Sequence, residues 1–106
     1  MKLLTNEILK AFEKQGYTGD KEPENVKIIC KFFNPSGAGT WFATEYNKEE
    51  GVFFGYVVLH ENELGYFSLE ELENYRDPRF GIGIERDKWF SIGEYTLKQI
   101  MDKESS

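Results

Sequence analysis

Apolar residues at the start of the chain recur at helical spacing, and the stripe they form consists of Leu4, Ile8, Leu9 and Phe12. Thr5 precedes this stripe as a candidate N-cap, and Leu4 and Leu9 stand at the two positions of a hydrophobic staple. Gly16 supplies a stop signal. The pattern predicts a first helix over about residues 5–15, with one apolar side that packs against the rest of the protein.

A two-residue period replaces the helical one after the polar loop at 19–25. In the following strand we expect one wholly apolar face, formed by Val26, Ile28, Cys30 and Phe32. Turn residues at 34–39 and 47–51 separate it from a second strand that begins at Thr40 and from a third over 52–59. Together with a short edge strand at 64–67, these segments predict an antiparallel meander over about residues 25–67.

Gly55 interrupts the third predicted strand. A glycine there marks either a β-bulge or a close approach to the strand backbone. We favour the close approach, by an aromatic ring or by the first helix.

The second half of the chain carries two helix-start signatures. Ser68 and Glu71 have the spacing of a capping box, with Phe67 and Leu72 at the staple positions, and they predict a helix over about 68–75. Ser91 and Glu94 repeat the box spacing and predict a C-terminal helix over about 92–102. Between them, a short strand is predicted around Ile82 and Ile84.

These elements predict one α+β domain over residues 1–106, in which a mainly antiparallel sheet of three to five strands packs against two or three helices. The chain has 106 residues and 40% hydrophobic content, as expected for a single core. The longest apolar run, residues 52–59, is far shorter than the ~20 residues of a membrane helix, and no targeting signal is visible. We therefore expect a cytoplasmic protein that does not contact membranes.

Cys30 is the only cysteine, so an internal disulfide and a metal site with paired thiolates are excluded. Its position on the apolar strand face predicts an inert thiol that packs as a small hydrophobic side chain. A reducing compartment fits this use of cysteine.

Negative charge is concentrated in the middle of the chain. Between residues 45 and 73 a single base, Lys48, accompanies eight acids, so that span carries −7 in a chain of net charge −6. The acids are Glu45, Glu49, Glu50, Glu61, Glu63, Glu70, Glu71 and Glu73. Phosphates would be repelled there, which argues against direct nucleic-acid binding, whereas a basic protein surface would be attracted. The other interpretation of these eight acids is that they form a solvated face that confers solubility.

Two further groups of residues suggest chemistry. His60, Glu61 and Glu63 lack the second histidine of a zinc-binding helix, so we expect neither a metal site nor a cofactor. A general acid–base site is the second possibility, built from Glu45, His60, Glu85 and Asp87. Arg86 offers one of these carboxylates a structural partner instead, because its guanidinium can hold a carboxylate and tie the late loop to the sheet.

Three segments, KFFNPSGAGTWFATE, FFGYVVLHENELGYFSLEEL and GIGIERDKWF, resemble in order and spacing the bacterial domain of unknown function 2958 family. The resemblance covers most of residues 31–90. It implies a small protein typical of plasmids, conjugative elements and phages, and it implies no catalytic mechanism.

Charge and resemblance together favour a non-catalytic acidic protein-binding module of a mobile genetic element. We expect it to inhibit a host nucleic-acid-binding or defence protein by nucleic-acid mimicry, as anti-CRISPR and anti-restriction proteins do. The eight glutamates named above are the predicted binding residues. A small enzyme with the carboxylate and histidine site, or an accessory subunit of a larger assembly, are the alternatives.

Overall fold

The computed structural model describes residues 2–105. In chain order the regular elements are α1 (Asn6–Gln15), a 3₁₀ turn (Pro23–Asn25), β1 (Cys30–Phe33), β2 (Thr40–Asn47), β3 (Val52–Val58), β4 (Asn62–Ser68), α2 (Leu69–Asn74), β5 (Glu85–Arg86) and α3 (Leu97–Glu104). Five strands and three α-helices confirm the predicted α+β class.

All neighbouring strands pair antiparallel, in the order β4-β3-β2-β1-β5. The first four strands form the predicted meander, because each connection is a short turn. Asn34 closes the first turn by donating its N–H to the carbonyl of Gly39 at 3.0 Å, and Gly51 closes the second by donating to Asn47 at 2.8 Å. Gly51 adopts a φ of 67°, a backbone conformation that glycine enters without steric cost. β4 and β5 are the two edges.

Helices cover both faces of this sheet, so the protein has two apolar clusters. One cluster joins α1 to the sheet through Ile8, Phe12, Phe32 and Phe53. Thr5 caps α1 as predicted, and the two predicted staple residues, Leu4 and Leu9, belong to this cluster. The other joins α3 to the opposite face through Phe42, Tyr56, Leu97 and Ile100. Phe42 and Tyr56 pair across β2 and β3, which places both on the α3 side.

The first strand differs from its prediction because β1 begins only at Cys30. Val26 and Ile28 pack in the α3 cluster, whereas Cys30 and Phe32 pack in the α1 cluster, so the predicted common face is wrong. The backbone explains the change. Ile28 exchanges hydrogen bonds with Tyr95 and Gly93, and the next residue, Ile29, donates to Ala43 of β2.

The C-terminal helix begins five residues later than predicted. Ser91 and Glu94 form an isolated turn, in which the Ser91 N–H donates to the Glu94 carboxylate at 2.9 Å. The capping box that starts α3 consists instead of Thr96 and Gln99. The predicted short strand is likewise displaced from Ile82 and Ile84 to Glu85–Arg86.

Ser68 caps α2 as predicted, because its hydroxyl accepts the Glu71 N–H at 3.2 Å. Gly55 is explained by close approach to neighbouring backbone. A Cβ at this position would lie 1.9 Å from the Phe42 carbonyl oxygen, opposite a bulge in β2 between Ala43 and Glu45. The approaching group is thus strand backbone, and the expected ring or helix is not the cause.

Candidate protein-binding surface

Six of the eight predicted binding glutamates belong to two segments that meet at one end of the sheet. The β2–β3 turn carries two of them, and it meets the start of α2, where the Leu69 N–H donates to the Gly51 carbonyl at 2.9 Å. Val52 and Ser68 pair beside this contact. We call this surface the acidic end, and it comprises Glu45, Glu49, Glu50, Glu70, Glu71 and Glu73.

The remaining two glutamates lie elsewhere. Glu61 and Glu63 belong to the β3–β4 turn and the start of β4, at the opposite end of the strands. Val52 and Val58 mark the two ends of β3, and six residues of strand separate them by about 20 Å. The structure therefore divides the predicted set of eight into a group of six and a pair.

Basic side chains leave the acidic end unneutralised. The ion pairs found among residues 2–105 are Lys31 with Asp87 at 3.6 Å and Lys98 with Asp102 at 3.1 Å, and neither includes a glutamate of the predicted set. Arg76 lies next to Glu73, but its guanidinium donates to the carbonyl oxygens of Glu73 and Tyr75. Lys48 remains the one base within the span, and the acidic end keeps a clear excess of negative charge.

Local hydrogen bonds fix the backbone that carries these glutamates. The Asn47 side chain accepts the Glu50 N–H at 3.1 Å, which fixes the turn, and the Ser68 cap fixes the first turn of α2. Glu45 lies on β2, and its carboxylate accepts hydrogen bonds from both the N–H and the hydroxyl of Thr18. A backbone that is already ordered loses little entropy when a partner binds, so the backbone of this surface is preorganised.

Exposed aromatic rings adjoin the acidic end. Tyr66 is 78% exposed and Tyr17 is 70% exposed. With Glu45, Glu50 and Phe54 they line a shallow cavity of about 530 Å³. Rings beside carboxylates suit a cationic partner, because they add contact area and cation–π attraction to the charge.

The negative charge of this surface also affects the pKa of the neighbouring Tyr46. Burial raises the pKa of its phenol above the ordinary 10.0, and the negative charge of Glu73 raises it further. Glu13 of α1 borders Tyr17 and Glu49 on this surface, although it was not predicted as a binding residue. No sequence signal could have identified it, because its place depends on how α1 docks.

The structure does not bring together the alternative acid–base set of Glu45, His60, Glu85 and Asp87. His60 follows Val58, whose partner Thr40 lies five residues, or about 17 Å, from Glu45 along β2. Glu85 on β5 is three strand spacings from β3, about 14 Å. Asp87 is occupied by Lys31 and by the Trp89 N–H.

Metal and thiol chemistry find no support in the part of the chain described. Residues 2–105 contain no group of three or more histidine, cysteine, aspartate or glutamate side chains placed to hold a metal ion. Cys30 is buried, and that burial raises the pKa of its thiol far above the ordinary value, an effect that the charge of Arg86 only partly offsets. The predicted inert thiol fits this environment.

An apolar groove that the sequence did not predict opens on the α1 face of the sheet, beside the area that α1 covers. It measures about 500 Å³, and its floor and walls include Trp41, Val57, Gly65, Phe67, Leu72 and Tyr75. Glu63 and Glu71 also border it. It arises where β4, α2 and the β1–β2 turn meet, which local sequence patterns do not reveal.

A known protein family matches nearly the whole chain. The sequence model of a family described as Protein of unknown function (DUF2958) matches residues 3–103. No curated protein and no solved structure matches the chain. Among the helices of residues 2–105, none has the length and apolar character needed to cross a membrane.

Proposed function

The chain belongs to the DUF2958 family, and we propose that it is a non-catalytic binding module whose acidic end covers a basic protein surface. One observation carries this proposal. Six glutamates belong to two segments that meet at one end of the sheet, and no ion pair within residues 2–105 neutralises them.

The partner class follows from the charge. A surface rich in carboxylates steers association towards clusters of lysine and arginine, and such clusters are the electrostatic signature of nucleic-acid-binding proteins. The proposed partner is therefore a nucleic-acid-handling protein, and the proposed effect is inhibition, since the acidic end would occupy its phosphate-binding cleft. A cytoplasmic host defence protein met by a mobile element is the setting that the family resemblance suggests.

The enzyme alternative has no comparable support. Its four residues lie at different ends and edges of the sheet, as described above, so no substrate atom could contact all of them. The same experiment also tests the accessory-subunit alternative, because an accessory subunit would capture its partner without the acidic end.

The test compares two triple variants of equal net charge. One neutralises the acidic end with Glu49→Gln, Glu50→Gln and Glu70→Gln, and the other neutralises the remote, exposed acids Glu7, Glu22 and Glu24 in the same way. Each protein is immobilised and exposed to extract from a natural host, and the captured proteins are identified by mass spectrometry. The extract is treated with nuclease to remove bridging nucleic acid.

The proposal expects capture of nucleic-acid-binding proteins by the parent and by the remote variant, with strong loss in the acidic-end variant. Release by added duplex DNA and by about 1 M salt should follow, because the screening length shortens from about 10 Å at 0.1 M to about 3 Å. Equal capture by the two triple variants, or capture that neither salt nor DNA reverses, would refute it.

A further inference from the structure

The groove described above lies between two carboxylates. Glu63 stands near the start of β4, and Glu71 stands on α2, just beyond the end of the same strand. Five residues of strand separate Glu63 from Ser68, or about 17 Å. The groove is thus apolar along its length and negatively charged near both ends.

The middle of the groove is open because Gly65 has no side chain to fill it. An added Cβ at this residue would meet no atom within 4 Å, in contrast to the crowded Gly55 that pairs with it across β3 and β4. Apolar surface beside this space comes from three members of the α1 cluster: Leu72, which is buried, and Trp41 and Phe67, which are partly buried. An apolar side chain could therefore enter above Gly65 and be surrounded by apolar atoms.

We infer that the groove binds an extended peptide segment of the basic partner, about five residues long, with a lysine or arginine at each end and an apolar side chain at its centre. This inference rests on the proposed function, because it takes the partner to be basic. Charge complementarity selects the ends of the segment, since Glu63 and Glu71 would each face a cation. Burial of the central side chain supplies the affinity, because the removal of apolar surface from water is favourable.

Trp41 provides a local signal for the experiment. The other tryptophan, Trp89, is 92% exposed and does not border the groove, so Trp89→Phe leaves Trp41 as the sole indole. The probe is a capped five-residue peptide with arginine at both ends, leucine at the centre and serine between. Fluorescence of Trp41 and the amide NMR signals of β4 and α2 are followed during titration.

Saturable changes in Trp41 emission and in the β4 and α2 signals are expected. Gly65→Val adds a side chain to the groove, starting from a Cβ that meets no atom within 4 Å, and should weaken binding at least about tenfold. Leu64→Val, on the opposite face of the same strand, should not. Glu63→Gln with Glu71→Gln should weaken binding by a similar factor and remove most of its salt dependence. Peptides with a central serine, or with glutamate at both ends, should bind at least about tenfold more weakly.

The inference is overturned if the probe causes no saturable change, if Gly65→Val binds as well as Leu64→Val, or if the glutamate peptide binds equally. The extract experiment separates this failure from that of the proposed function. If capture depends on the acidic end but is unchanged by Gly65→Val, only the groove inference is refuted. If the acidic-end variant captures the same proteins as the parent, the proposed function is refuted, whatever the result of the peptide titration.

Discussion

Glu45 and Thr18 are joined by two hydrogen bonds across 27 residues of sequence, because the carboxylate accepts both the backbone N–H, at 3.0 Å, and the side-chain hydroxyl. Thr18 is buried, whereas Glu45 is half-buried. One glutamate of the acidic end thus also secures the loop that follows α1.

Thr18→Val keeps the shape of the side chain and removes the hydroxyl. We expect the free energy of unfolding to fall by about 1–2 kcal/mol, since a hydrogen bond to a charged acceptor is lost. Urea denaturation measures this change. Thr40→Val is the control, because the Thr40 hydroxyl takes part in none of the hydrogen bonds found within residues 2–105, and it should stay within about 0.5 kcal/mol. Equal losses in the two variants would contradict the proposed role of Thr18.

Gly55 and Gly65 face each other across β3 and β4, yet alanine should affect them very differently. Gly55→Ala forces a Cβ to 1.9 Å from the Phe42 carbonyl oxygen, so β2 must shift and stability should fall by at least about 3 kcal/mol. Gly65→Ala meets no neighbour and should be neutral or slightly stabilising, because a strand glycine is entropically costly. Thermal unfolding distinguishes the two, and similar melting temperatures would show that the β2 bulge yields easily.

The start of α3 can be tested by capping variants. Thr96→Ala removes the hydroxyl that accepts the Gln99 N–H and should cost about 1 kcal/mol. Ser91→Ala should cost less than about 0.5 kcal/mol, since the Ser91 contact with Glu94 uses the backbone N–H. Guanidinium denaturation of both variants checks the order, and the reverse order would place the helix start at Ser91.

Stability should fall in alkaline solution. Burial raises the folded-state pKa of Cys30 above its ordinary 9.0 and that of Tyr46 above its ordinary 10.0, and both groups are neutral when protonated. Their contribution is therefore complete below pH 9.0 and is lost as the pH rises towards the folded-state values. Ionisation of the Cys30 thiol in the unfolded chain alone should lower the unfolding free energy by about 1.4 kcal/mol at about pH 10.

The measurement is urea denaturation at a series of pH values. Cys30→Ala should be less stable at neutral pH because it leaves a small cavity, but it should show a shallower decline between about pH 8 and pH 10. A thiol reagent should modify Cys30 only under unfolding conditions. Identical pH slopes in the parent and the variant would contradict the assignment.

Local signals predicted the elements that local interactions build. Thr5 and Ser68 cap their helices as predicted, because an N-cap hydrogen bond spans only three residues. The turns at 34–39 and 47–51 join strands as predicted, since their glycines and Asn34 and Asn47 determine a turn by themselves. Ser91 and Glu94 show the limit, because the same spacing also suits an isolated turn.

Distant contacts determined the rest. The Gln15 side chain donates to the carbonyl oxygens of Lys27 and Thr44 and accepts the Lys27 N–H, so it anchors the segment before β1 to the bulge in β2. Nothing in the residues around Gln15 signals these partners. Likewise, the concentration of acids along the chain was visible, but only the strand register shows that Glu61 and Glu63 lie at the end of the strands opposite the β2–β3 turn.

The outer edge of β4 also bears on self-association. An edge strand presents unpaired backbone groups to any similar strand it meets, which is the usual beginning of aggregation. Glu61 and Glu63 sit beside this edge, so a second copy of the chain would bring its own carboxylates against them. Two identical molecules therefore repel one another along the border where their strands would otherwise pair, and concentrated solutions of the protein should resist fibril formation.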